Sequence, residues 1–123
     1  NLPLATYWES LGEALSLAIA GGVEAELAGS MMADSSGAIG VAGPRMPMIL
    51  AAIAEQPDEL GAFDVAGMVK DIALMREFAA ECGCDVPLAD IAHATYSAAA
   101  EEGWGPNDAA VMAAWRCRRN AKA

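Results

Sequence analysis

One property narrows what this chain can fold into: apolar residues recur at helical spacing almost throughout, and no stretch alternates as a half-buried strand would. The longest instance runs from Phe63 to Gly83, FDVAGMVKDIALMREFAAECG. Val65, Met68, Val69, Ile72, Met75 and Ala79 fall there on one face of a helix. Alanine, the strongest helix former, supplies about a quarter of the 123 residues. The reading is an all-α fold, a single domain over residues 1–123 of about six helices.

Local signals place those helices. Residues 2 to about 20 form the first, with Leu4, Trp8, Leu11, Leu15 and Ala18 as a seam for another helix, and Gly21-Gly22 as its stop. Pro3 is tolerated only near the start. Val23 to Met32 reads as a second helix with Leu27 and Met31 inward. Asp34 to Met46, DSSGAIGVAGPRM, is punctuated by Gly37, Gly40, Gly43 and Pro44 and reads as a loop. Its G-x-x-G-x-x-G spacing differs from the dinucleotide fingerprint, and no strand precedes it. A short helix from Pro47 to Glu55 and a connector from Gln56 to Ala62 lead to the Phe63–Glu81 helix, capped by Asp64 and ended by Gly83. Pro87 opens a helix to about Glu102, Gly103-Trp104-Gly105 breaks it, and a last helix follows Pro106-Asn107-Asp108 to about Asn120.

Charge excludes several partners. The net charge of −10 and isoelectric point near 4.2 disfavour nucleic acid and anionic membrane surfaces, both of which need clustered Lys and Arg. No apolar run is long enough to span a bilayer. Three cysteines, Cys82, Cys84 and Cys117, fit a reducing, cytoplasmic setting better than a disulfide framework. A hydrophobic content of 55% is high for a chain this small, so some apolar surface is expected to be covered from outside, by a second copy or another domain. The first residue is Asn1 rather than Met, so the chain is expected to be a piece of a longer protein.

Few residues can carry chemistry. Before Arg116 the basic residues are Arg45, Lys70 and Arg76. An ammonium on a largely apolar helix of an acidic chain can grip an anion; otherwise Lys70 belongs to a solvated stripe with Glu77 and Glu81. Cys82-Gly83-Cys84 and His93 offer too few ligands for a zinc site, so no metal is expected. His93 lacks a local nucleophile and reads as a helix-face residue. The pairs Glu9/Glu13 and Glu77/Glu81 read as solvated faces. Arg116, Arg118, Arg119 and Lys122 read as complements to a helix C-terminus. Trp8, Trp104 and Trp115 read as anchors of a core or interface.

The order of signals resembles the C-terminal helical domain of the β-hydroxyacid dehydrogenases, the 3-hydroxyisobutyrate dehydrogenase and tartronate semialdehyde reductase family, which is 6-phosphogluconate dehydrogenase C-terminal-like in fold. Asn1 with Glu13-Ala14-Leu15 matches its long interdomain helix, and Asp34-Ser35-Ser36-Gly37 its "SSG" turn. Phe63 with Met68, Lys70, Asp71 and Ile72 resembles its "F…LM.KDL" stretch, and Pro87, Tyr96, Gly103 and Asp108 its ending. The resemblance implies an NAD- or NADP-dependent oxidoreductase interconverting a 3-hydroxy acid and its semialdehyde, and a homodimer. It implies that Lys70 contacts the carboxylate substrate or cofactor, that Asn1 lies near the substrate, and that Phe63 and Asp71 line or support the cleft. The catalytic lysine and the dinucleotide-binding domain would precede Asn1, leaving this chain inactive by itself. Pro3, Gly40, Val41 and Gly43 depart from the family pattern and imply a divergent branch, either with another substrate or without activity. The rival reading is a non-catalytic helical module that self-associates through the Leu4–Ala18 seam and the apolar helix.

Overall fold

A computed structural model describes residues 1–122 and contains six α-helices: α1 (Leu2–Ala20), α2 (Ala25–Ala33), α3 (Ala42–Ala54), α4 (Val65–Cys82), α5 (Pro87–Ala99) and α6 (Met112–Lys122). A π-helical turn, Ala100–Trp104, extends α5, and a 3₁₀ turn, Ala109–Val111, precedes α6. No strand occurs among the described residues, as the absence of alternation requires. The chain groups into two compact units, one of residues 1–6 with 58–109, the other of residues 7–57 with the chain from Ala110 onward.

In the first unit α4 packs on α5. Val65, Met68, Ile72 and Ala79 are buried, while Val69 and Met75, at the edges of the same face, are half-buried. The start of α4 is held on all its donors. Asp64 accepts from the Gly67 amide at 2.7 Å, and the Val65 and Ala66 amides donate to the carbonyls of Asn107 and Gly105 at 2.9 and 3.0 Å. Met68 donates to the Asp64 carbonyl. The groups that a helix start normally leaves unpaired are therefore all satisfied here. Ala109 donates to the Phe63 carbonyl, and Asp64 and Asp108 form an isolated antiparallel bridge, so residues 61–66 and 105–109 run as a zipped pair of connectors. The first turn of α1 joins the same unit through the buried Tyr96 hydroxyl, which donates to the Ala5 carbonyl at 3.0 Å. Tyr96→Phe should lower stability by about 1 kcal/mol, read by denaturant titration, because the Ala5 carbonyl loses a buried donor.

In the second unit α3 packs on both α2 and α6. Trp8, Leu11 and Leu15 of α1 are buried, and Leu4 and Ala18, at the ends of that seam, are half-buried. Pro3 lies in the first turn of α1, where its missing N–H leaves no gap. At Gly12, α1 runs so close to α6 that a Cβ would stand 2.9 Å from the Ala113 Cα.

Three expectations are corrected. Leu27 and Met31 of α2 are exposed, and its inward residues are Ala28 and Gly29. Gly29 allows a close approach to Met46 and Leu50 that larger side chains would block, and this rotates the helix relative to the expected face. Helix α3 begins at Ala42, not Pro47. Gly43 and Pro44 sit in its first turn, where loop-like residues are tolerated. The segment after Pro106 passes through a 3₁₀ turn before α6, because Asn107 and Ala109 are already committed to the connector pairing.

Candidate functional site

The first unit brings together residues that lie far apart in sequence. The Asn1 side-chain amide donates to an Asp71 carboxylate oxygen at 2.7 Å. A carboxylate only accepts, so this bond fixes which way the amide faces: its NH₂ is spent on Asp71 and its carbonyl oxygen remains an acceptor. Asp71 is half-buried on the flank of α4, and Lys70 beside it is exposed. Lys70 makes no hydrogen bond or ion pair among the described residues.

Lys70 is the cation this unit has to offer. The other, Arg76, is engaged: its Nε donates to Asp90 at 2.7 Å and its Nη1 lies 3.2 Å from His93 Nδ1. A guanidinium has only donors, so His93 Nδ1 accepts and its ring hydrogen lies on the other nitrogen. His93 is thus a half-buried helix-face residue tying α5 to α4.

Phe63 is 36% exposed, and its ring lies against Gly67. Successive steps of three and four place Gly67, Lys70, Leu74 and Phe78 on one stripe, opposite the buried Val65, Met68, Ile72 and Ala79. Leu74 and Phe78 are 55% and 66% exposed. They escaped the sequence reading, although counting i+4 and i+8 from Lys70 would have found them. Glu77 and Glu81 are exposed alongside. The structure therefore brings Asn1 and Asp71 into contact, seats Lys70 beside Asp71, and lays the Phe63 ring, which precedes the α4 cap, near Gly67, one turn before Lys70. Asp71→Ala should release the Asn1 amide while costing about 1 kcal/mol of stability at most, since the bond is solvent-exposed. The readout is a nearly unchanged melting temperature in thermal denaturation.

The remaining candidates serve structure. Trp8, Trp104 and Trp115 are buried. The guanidinium of Arg118 reaches another helix: its Nη1 donates to the carbonyls of Ile53 and Ala54 at 3.3 and 2.9 Å, closing the end of α3. Arg116 and Arg119 flank the Trp115 ring at 4.9 and 5.0 Å. Glu9 is half-buried rather than solvated. Ser35 Oγ donates back to the Met32 carbonyl at the end of α2, and the Ala38 amide closes the Ser35-Ser36-Gly37 turn onto the Ser35 carbonyl at 3.1 Å. No group of three or more potential ligands gathers for a metal among the described residues, and no helix there is long and apolar enough to cross a membrane.

Comparison with known proteins decides the family. The profile of the family described as NAD-binding of NADP-dependent 3-hydroxyisobutyrate dehydrogenase matches residues 1–115. The chain belongs to this family. Its fold is that of a 3-hydroxyisobutyrate dehydrogenase from Salmonella typhimurium, which superposes with a TM-score of 0.76 at 21% sequence identity over 91% of this chain. The match covers 38% of that protein, so the chain spans well under half its length. No curated protein matches the sequence. The family is the one the sequence resembled, and the all-α fold is the expected one.

Proposed function

We propose that this chain is the helical, substrate-side part of an NAD(P)-dependent oxidoreductase that interconverts a 3-hydroxy acid and its semialdehyde. The observation that carries the reading is the Asn1–Asp71 hydrogen bond beside Lys70. Lys70 would hold the substrate carboxylate as an unspent ammonium, worth about 1.5–3 kcal/mol for a charge-assisted bond. Asp71 would keep the Asn1 carbonyl oxygen turned toward a substrate hydroxyl. Phe63 would supply an apolar wall.

The α4 start has every backbone donor engaged, and no strand–glycine loop–helix unit is present among the described residues. The cofactor's pyrophosphate would therefore rest on the companion domain, and the nicotinamide, when bound there, accepts the hydride. This chain's part is binding and orientation, which by itself would not sustain turnover. The exposed Leu74 and Phe78, with Leu88 and Ile91 of α5, support coverage by that domain or by a second copy in a homodimer. The rival self-association seam is largely used up, because Trp8, Leu11 and Leu15 are buried within the chain. The three free thiols support a reducing, cytoplasmic setting.

The test is to supply the full-length protein with a series of 3-hydroxy acids and either NAD⁺ or NADP⁺. The reading expects reduced nicotinamide with at least one acid and none from residues 1–123 alone. Absence of reduction across the series overturns it.

A further inference from the structure

Helix α4 ends in two thiols on either side of a glycine, Cys82-Gly83-Cys84, and both are exposed. The third cysteine, Cys117, is buried, and burial pushes its thiol pKa up. The backbone around the pair is closed as a helix cap. The Gly83 amide donates to the Ala80 carbonyl at 3.4 Å, and the Cys84 amide to the Ala79 carbonyl at 2.9 Å. Gly83 takes the left-handed conformation, φ 72 and ψ 25.

That conformation decides how far apart the two thiols start. A residue in a helical conformation of either hand sets the Cα atoms on its two sides about 5.5 Å apart, whereas an extended one sets them about 7 Å apart. Disulfides span roughly 4.4–6.8 Å between Cα atoms. The cap therefore holds Cys82 and Cys84 within bridging reach. Neither thiol is tied by a hydrogen bond among the described residues. A bridge here closes a loop of only three residues, which removes little chain entropy and leaves the bond easy to reduce.

We propose that Cys82 and Cys84 are an exchangeable dithiol–disulfide pair, oxidised by low-molecular-weight disulfides and reset by the corresponding thiols. One cysteine, as its thiolate, attacks a sulfur of the small disulfide, breaks its S–S bond and expels one small thiol. The other cysteine attacks the protein-bound sulfur, forms the Cys82–Cys84 bond and expels the second. Two electrons and two protons pass from the pair to the small disulfide, which becomes two thiols. None of the proposed substrate-side residues takes part, so the inference stands apart from the dehydrogenase reading.

The test treats the full-length protein with cystamine, whose positive charge suits the exposed Glu81 and Asp85 beside the pair. Remaining thiols are then alkylated and the protein is digested with trypsin. Peptide 77–116 carries Cys82 and Cys84 but not Cys117. It should lose two hydrogens, keep no cysteamine, and return to the dithiol when cysteamine is added in excess. In Cys84→Ser the cysteamine should stay on Cys82, and in Cys82→Ser on Cys84, about tenfold longer or more than in the unsubstituted protein, because the closing thiol is gone. A lasting cysteamine adduct on the unsubstituted peptide overturns the proposal. So does a disulfide joining two copies of the chain, or no reaction at either thiol.

Discussion

Lys70→Ala in the full-length protein should raise KM for the hydroxy acid by about 10- to 100-fold, the range expected when a carboxylate loses one charge-assisted partner. The melting temperature should stay put, because Lys70 is exposed and holds nothing else in place among the described residues. Lys70→Arg should recover part of the loss, since it keeps the charge but changes the reach and geometry of the donors. An unchanged KM and kcat in Lys70→Ala would show that Lys70 is only part of a solvated stripe with Glu77 and Glu81.

The largest stability effect should come from Gly61→Ala. A Cβ there would collide with the backbone of Asp108, which is less able to yield than a side-chain tip. The same glycine donates its amide to the Pro106 carbonyl at 2.9 Å, and nearby the Asn107 side chain donates to the Glu59 carbonyl at 3.1 Å. Relief of the clash would pull apart the connector pairing that anchors the start of α4. A loss of about 3 kcal/mol is expected, combining overpacking with a weakened hydrogen bond, and a melting temperature lower by about 10 °C in calorimetry. In the full-length protein the variant should also lose activity beyond its loss of folded material, because Phe63 and the Lys70 turn hang from that anchor. Near-wild-type melting would show that the connector is free to shift.

Much of this was legible in the sequence because helical periodicity is local. The buried faces of α1 and α4, the Asp64 cap and the stop at Gly83, which adopts φ 72, follow from spacing and capping chemistry alone. What was not legible depends on contacts distant in sequence. Gly43 and Pro44 look like loop punctuation until they are placed in a first turn, where the same residues are compatible with helix. Leu27 and Met31 look inward-facing until Gly29 is seen to set the approach of α3. Arg118 reads as a complement to its own helix end, and its bond to another helix 64 residues away in sequence has no local signal. For the site, Lys70 and Asp71 stood out by charge and by resemblance, and Asn1 by resemblance alone. The bond joining Asn1 to Asp71 spans 70 residues, and no local pattern announces it.

The central claim, that this chain supplies the substrate-side half of a two-part dehydrogenase, is tested most directly by reading the coding sequence upstream of Asn1. The account predicts a G-x-G-x-x-G turn following a strand, the start of a dinucleotide-binding domain. It also predicts a lysine about one helical turn before Asn1, positioned to serve as proton donor. An unrelated domain there, or a start codon immediately before Asn1, would contradict it.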